Sequence, residues 1–145
     1  MTAARTPDAL LARLRPRGVE PIADADALAE FLGGPGEALL LFTDDPARVP
    51  ECWDVAVILP EVLKELGTPP RAAVLLPELS RALQARYGLT RTPALAAFRA
   101  GGWLGALEGV RDWSAYLAEL PSLLARPVSR PPLPIAGGPS ASACA

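Results

Sequence analysis

The sequence contains no histidine. That removes the commonest general base and the commonest metal ligand together. Its two cysteines, Cys52 and Cys144, are too far apart to read as a metal knuckle or a disulfide framework. A zinc site would have to draw four ligands from those thiols and the carboxylates, and no such spacing occurs. No stretch approaches the roughly 20 apolar residues of a membrane span. From Met1 to Arg17, Leu10, Leu11 and Leu14 are mixed with Arg5, Arg13, Arg15 and Arg17. There is no continuous apolar core of a secretory signal, so the expected location is the cytoplasm.

What is present is a globular balance. Half of the 145 residues are hydrophobic and 21% are charged, which suits one ordinary domain. Seventeen prolines mark turns and helix starts. Pro127, Pro131, Pro132, Pro134 and Pro139 crowd the C-terminal end. The net charge of −2 hides an asymmetry. The segment Asp24 to Glu65 holds ten acids and two bases, and so carries −8, while the remainder carries +6. An acidic stretch repels phosphates, which argues against nucleic acid and favours a basic partner or a solvated surface.

Thr6-Pro7 reads as an N-cap and a first-turn proline, followed by Leu10, Leu11 and Leu14 at helical spacing. Val19 to Ala23 reads as a short strand. Asp24 caps a second helix through Leu28, Phe31 and Leu32. Ala38 to Phe42 is a short, wholly apolar run and reads as a buried central strand. Asp44 to Asp54 reads as a polar loop, and a helix with Pro60 inside it then runs from Asp54 to Leu66. Ala72 to Leu76 is a strand, and Leu79, Leu83 and Tyr87 line a helix that ends at Gly88. Ala94 to Phe98 and Trp103 to Leu107 form a hairpin around Gly101-Gly102. Trp113, Tyr116, Leu117, Leu120 and Leu124 line the last helix, which contains Pro121. The composition divides the chain into an N-terminal helix (1–18), an α/β domain (19–125) and a Pro/Ser/Ala-rich tail read as disordered (126–145). Strands separated by helices, closed by a hairpin, give a mixed sheet of four or five strands with helices on both faces.

The second half resembles thioredoxin in its residues. The run Arg86-Tyr87-Gly88-Leu89-Thr90-Arg91-Thr92-Pro93-Ala94-Leu95 is similar to that family's stretch leading into its cis-proline. Phe98, Gly101-Gly102 and Gly109 fall in the same frame. The resemblance implies a thioredoxin-like fold and a cis Thr92-Pro93 bond. The first half departs from it. A redox thioredoxin needs two cysteines at the start of the helix after the central strand, one activated and one resolving. Here Cys52 stands alone, and Leu41 falls where the buried proton-transfer acid would be. A monothiol oxidoreductase or peroxidase using Cys52 remains an alternative. The adjacent Glu51 and Asp54 charges oppose a thiolate there, and no histidine exists to activate one.

One thioredoxin-like family lacks the cysteine pair: the HyaE/HupG hydrogenase expression and formation proteins. Leu41-Phe42-Thr43-Asp44-Asp45-Pro46-Ala47-Arg48-Val49-Pro50-Glu51 resembles its pattern, as do Leu63-Lys64-Glu65-Leu66, Tyr87-Gly88, Arg91, Pro93, Phe98, Gly101-Gly102, Gly109 and Trp113. The resemblance implies an accessory, non-catalytic chaperone of [NiFe] hydrogenase maturation, with no cofactor. Its partner would be the twin-arginine signal peptide of the hydrogenase small subunit precursor, alongside other maturation proteins. A guanidinium pairs bidentately with a carboxylate and stacks on an aromatic face. The candidate peptide-binding residues are therefore Asp44, Asp45, Glu51, Trp53 and Asp54, together with Thr92 and Pro93, where an extended peptide would pair with backbone. A structural subunit of some other complex is a further alternative.

Overall fold

The computed structural model describes residues 4–131. Its organising element is β2 (Glu37–Phe42), whose last five residues are all buried. Side chains alternate across a strand. Leu39 and Leu41 therefore enter one core, while Ala38, Leu40 and Phe42 enter the other. The strand pairs in parallel with β3 (Arg71–Leu75) and antiparallel with β4 (Ala94–Arg99). Outside these lie β1 (Val19–Ile22), parallel to β3, and β5 (Gly102–Glu108), antiparallel to β4. The spatial order is β1-β3-β2-β4-β5. The expected mixed sheet thus has five strands.

Among the described residues five α-helices cover both faces. On one side lie α1 (Pro7–Leu14), α3 (Glu51–Glu65) and α5 (Trp113–Leu124), which bury Leu10, Leu14, Val55, Leu59, Tyr116 and Leu120. On the other lie α2 (Ala25–Leu32) and α4 (Pro77–Leu83). The caps agree with the sequence. Thr6 and Asp24 accept hydrogen bonds from the Ala9 and Ala27 amides, at 3.1 and 2.8 Å. Asp112 caps α5 in the same way, through the Ala115 amide at 2.9 Å. Pro60 and Pro121 both lie inside continuous helices. The expected helix through Tyr87 stops earlier. It ends at Leu83, and a 3-10 turn, Ala85–Tyr87, swings the Tyr87 ring into the second core before Gly88 turns the chain at φ +68°.

Tyr87 is the centre of an aromatic cluster. It stacks on Trp103, with ring centroids 5.4 Å apart and an interplanar angle of 12°. It meets Phe42 and Phe98 edge to face, at 5.9 and 5.7 Å. Such geometries add about 0.5–1.5 kcal/mol per pair beyond the area buried.

Both margins of the sheet are modified. The edge strand β1 contains Pro21, which has no amide to donate. At the other margin the chain after α5 turns back along β5, and the Ser129 amide donates to the Trp103 carbonyl at 2.8 Å. Residues 132–145, which include the rest of the expected tail and Cys144, lie outside the described residues.

Replacing Tyr87 with alanine removes three ring contacts and leaves a cavity. Large aromatic truncations of this kind cost about 3–5 kcal/mol, to be measured as a loss in urea unfolding free energy. A loss under about 1 kcal/mol, the scale of a substitution outside the core, would show that the cluster is not a core element.

Candidate functional site

Three segments meet at the C-terminal end of β2. The register places Phe42 opposite Ala94, so the chain leaving β2 lies beside the chain entering β4. The chain entering β4 is Thr92-Pro93, whose peptide bond is cis, as the resemblance implied. The third segment is the start of α3.

The loop after β2 is shorter than expected. The Asp45 carboxylate accepts from the Ala47 amide at 2.9 Å, and the Asp45 carbonyl accepts from the Arg48 and Val49 amides at 2.9 and 2.8 Å. An aspartate turn of this kind needs no regular structure around it. Pro50, at φ −58°, then presets the helix. The Val49 and Pro50 carbonyls take the Cys52 and Trp53 amides, both at 3.0 Å. Glu51, Cys52 and Trp53 are thus helical, where a loop was expected, and the helix begins three residues before Asp54. Their polarity reflects the preference of the positive helix N-terminus for acids, not a loop.

The helix spacing of about 100° per residue distributes these side chains. Cys52 points inward and is fully buried. Its sulfur accepts a hydrogen bond from the Asp44 amide at 3.3 Å. Burial pushes the Cys52 thiol pKa up, and the nearby Asp44 and Glu51 charges push the same way. The Asp44 amide and the Thr92 side chain act against this without overturning it. Cys52 therefore stands in the first turn of the helix after the central strand, beside the Thr92-Pro93 loop, in its protonated form.

The candidate acids separate into two kinds. Asp44 is only 8% exposed and already engaged. Its Oδ1 accepts from the Asp45 amide at 2.7 Å and faces the Arg81 guanidinium of α4 at 3.5 Å. Asp45 is half-buried, with one oxygen committed to the Ala47 turn. Glu51 and Asp54 are exposed, and neither has an ion-pair partner among the described residues. Being three residues apart, they share one side of the helix. Trp53 does not join them. It is half-buried against the α1–α3 core, and the Arg5 guanidinium lies 5.4 Å from its ring centroid. Residues one or two apart on a helix do not face each other.

On the opposite side of the loop, the Gly109 amide donates to the Pro93 carbonyl at 2.7 Å. Gly109 has φ +79°, and the Arg91 guanidinium lies where a Cβ would project. Glycine is needed there on both counts. Just beyond, Val110 and Trp113 are large apolar side chains 39% and 42% exposed. Glu108, which sequence reasoning did not single out, accepts through Oε1 from the Thr90 amide at 2.8 Å, the Thr90 hydroxyl at 3.0 Å and the Arg91 amide at 3.2 Å. Within this loop the Thr92 backbone is not used by any hydrogen bond among the described residues. Among the described residues no group of three or more cysteines and carboxylates is placed to hold a metal ion. No helix among them is long and apolar enough to cross a membrane.

A five-stranded mixed sheet flanked by helices, with a cis-proline loop beside the first turn of the central helix and, among the described residues, a single buried thiol where an adjacent pair would stand, defines a thioredoxin-like protein lacking the paired cysteines of the helix start. The fold has solved counterparts: a mutant thioredoxin from Halobacterium salinarum superposes with a TM-score of 0.60 at 17% identity, over 75% of this chain and 93% of that one. The family model described as hydrogenase-1 expression protein HyaE matches residues 10–116. The hydrogenase expression/formation protein HoxO of Cupriavidus necator is 36% identical over 126 residues, covering 83% of this chain and 78% of its own. The hydrogenase expression/formation protein HupG of Rhizobium leguminosarum bv. viciae is 36% identical over 137 residues, covering 92% and 91%. The chain belongs to the HyaE family of hydrogenase expression proteins, a membership that supports a role in hydrogenase maturation.

A buried, protonated thiol reacts slowly. Iodoacetamide at about pH 8 should modify Cys52 on the order of tenfold more slowly in the native protein than in urea, read by peptide mass. Equal rates would contradict the burial. The raised pKa also sets a pH dependence. Between the unfolded thiol pKa, about 8.5, and the higher folded value, the folded protein retains a proton that the unfolded chain loses. This contribution to stability is complete below about pH 8.5 and is lost as pH rises through the folded value. Urea midpoints should fall between about pH 8 and about pH 9.5 in the unaltered protein, and fall less in Cys52→Ala.

Proposed function

We propose that the chain is a non-catalytic accessory chaperone of [NiFe] hydrogenase maturation in the cytoplasm. Its client is the twin-arginine signal peptide of the hydrogenase small subunit precursor, held before export. Family membership supplies the hydrogenase context. The observation that carries the peptide reading is the state of the Thr92-Pro93 loop. It lies against a buried, protonated thiol that is ill suited to exchange chemistry, and its Thr92 backbone, unpaired among the described residues, would suit pairing with an extended chain.

The surroundings suit a peptide with paired arginines followed by an apolar stretch. Glu51 and Asp54, on either side of the buried Cys52 in sequence, offer two exposed carboxylates to guanidinium groups. Val110 and Trp113, following the Gly109 contact to Pro93, offer apolar surface to the segment beyond the arginines. Asp44 and Asp45 act mainly by shaping the loop. Trp53 acts by anchoring the N-terminal arm through Arg5. Other hydrogenase maturation proteins are further partners on this reading. A thiol enzyme is disfavoured, because the one cysteine at the site is buried with its pKa raised.

Titration calorimetry with a synthetic signal peptide should show binding that weakens with salt, as charge pairing at an exposed site does. An Arg-Arg to Lys-Lys change keeps the charge and loses the bidentate geometry. It should weaken binding about tenfold, the scale of one lost charge-assisted contact of roughly 1.5 kcal/mol. The double variant Glu51→Gln, Asp54→Asn should bind both peptides equally weakly. Indifference to the arginine pair would overturn the proposal.

A further inference from the structure

The same loop carries a second requirement. An extended peptide pairs with backbone only if that backbone is held in place before the peptide arrives, because ordering it on binding subtracts from affinity. We infer that Glu108 is the positioning residue that holds the Thr92 backbone in its pairing geometry. The inference rests on the peptide-binding reading above.

Glu108 is the last residue of β5 and pairs with Ala94, the first of β4. Its position is therefore fixed by the sheet. Its side chain reaches across to the loop, where one oxygen collects the Thr90 and Arg91 amides and the Thr90 hydroxyl. The next residue along the chain, Gly109, donates its amide to the Pro93 carbonyl at 2.7 Å. Residues 108 and 109 thus grip the loop on both sides of Thr92, by a side chain before it and by backbone after it. Thr92 is the one residue between the grips, and its own backbone is left unused among the described residues.

Arg91 completes the arrangement. Its guanidinium is turned back against the chain, over Gly109, and donates to the Glu108 carbonyl at 3.4 Å. A positive group that would otherwise repel an arginine-bearing peptide is held to one side. The Glu108 carboxylate makes contacts that belong to folding, yet two of the three go to consecutive amides at the one place where the loop must stay open to a partner. Without it those amides lose their acceptor, and Thr92 loses the fixed neighbour on its N-terminal side.

Glu108→Gln keeps an acceptor oxygen and serves as the rescue variant, whereas Glu108→Ala removes it. Two readouts separate positioning from general stability: affinity for the Arg-Arg signal peptide by calorimetry, and the native alkylation rate of Cys52 by peptide mass. Cys52 reports on the loop because the Thr92 side chain acts on its thiol. Glu108→Ala should weaken the peptide about tenfold and speed Cys52 alkylation several-fold, and Glu108→Gln should stay within about threefold of the unaltered protein in both. If Glu108→Ala does not fold, Thr90→Val removes one donor and no backbone group, and should weaken the peptide about two- to threefold. Unaltered affinity in Glu108→Ala, or in Thr90→Val where it replaces it, overturns the inference while the peptide site stands. Absence of binding by the unaltered protein overturns the peptide site and this role together. Cys52 alkylation unchanged in Glu108→Ala overturns the positioning role whatever the peptide does.

Discussion

The constraint from which the rest follows is the two-sided burial of β2. A strand with apolar side chains on both faces and hydrogen-bonded neighbours on both edges has no freedom of register. Leu39 and Leu41 face α3, Leu40 and Phe42 face the aromatic cluster, and β3 and β4 occupy the two edges. Polar chemistry is excluded from Ala38 to Phe42 and begins again where the strand ends, at Thr43 and Asp44. In open α/β sheets ligands are found beyond the carboxyl ends of the strands. Here β2 runs antiparallel to β4, so its carboxyl end meets the amino end of β4 and brings the proline loop alongside.

The next layer is electrostatic. The first turn of α3 is where a helix favours an anion, and a thiol placed there and open to water would be acidified. In this chain the same turn buries its sulfur, and its flanking carboxylates take the exposed positions. Burial opposes ionisation of the thiol, and the Asp44 and Glu51 charges oppose it further by like-charge repulsion. The dipole's preference is then met by the exposed Glu51 and Asp54 side chains. One helical turn thereby changes from a centre that exchanges sulfur bonds into one that presents negative charge.

Much of this was legible in the sequence, because it rests on short-range rules. The capped starts at Thr6 and Asp24, the buried run Ala38 to Phe42 and the hairpin glycines each follow from local chemistry that tertiary structure did not override. The start of α3 was not legible, because Glu51 to Asp54 are polar enough for a loop and Pro50 serves a loop end and a helix start equally well. The candidate acids could be named but not sorted. Which of them is consumed by the fold depends on Arg81, distant in sequence on another helix. Trp53 turns away from its neighbours for a reason that spacing alone contains, although the partner it finds, Arg5, does not follow from spacing. Glu108 gave no signal, since a single glutamate at a strand end has many uses and its donors lie 17 and 18 positions away.

The treatment of the two sheet margins also bears on how a client would be received. An unprotected margin offers a ladder to any unfolded chain, without regard to sequence. Pro21 withholds a donor on one flank, and the segment through Ser129 occupies part of the other. With those routes obstructed, a peptide bound as proposed would have as its remaining partner a short stretch of main chain near the exposed carboxylates. Under the proposed chaperone reading, obstructing the generic docking rails would do as much for selectivity as improving the chosen berth.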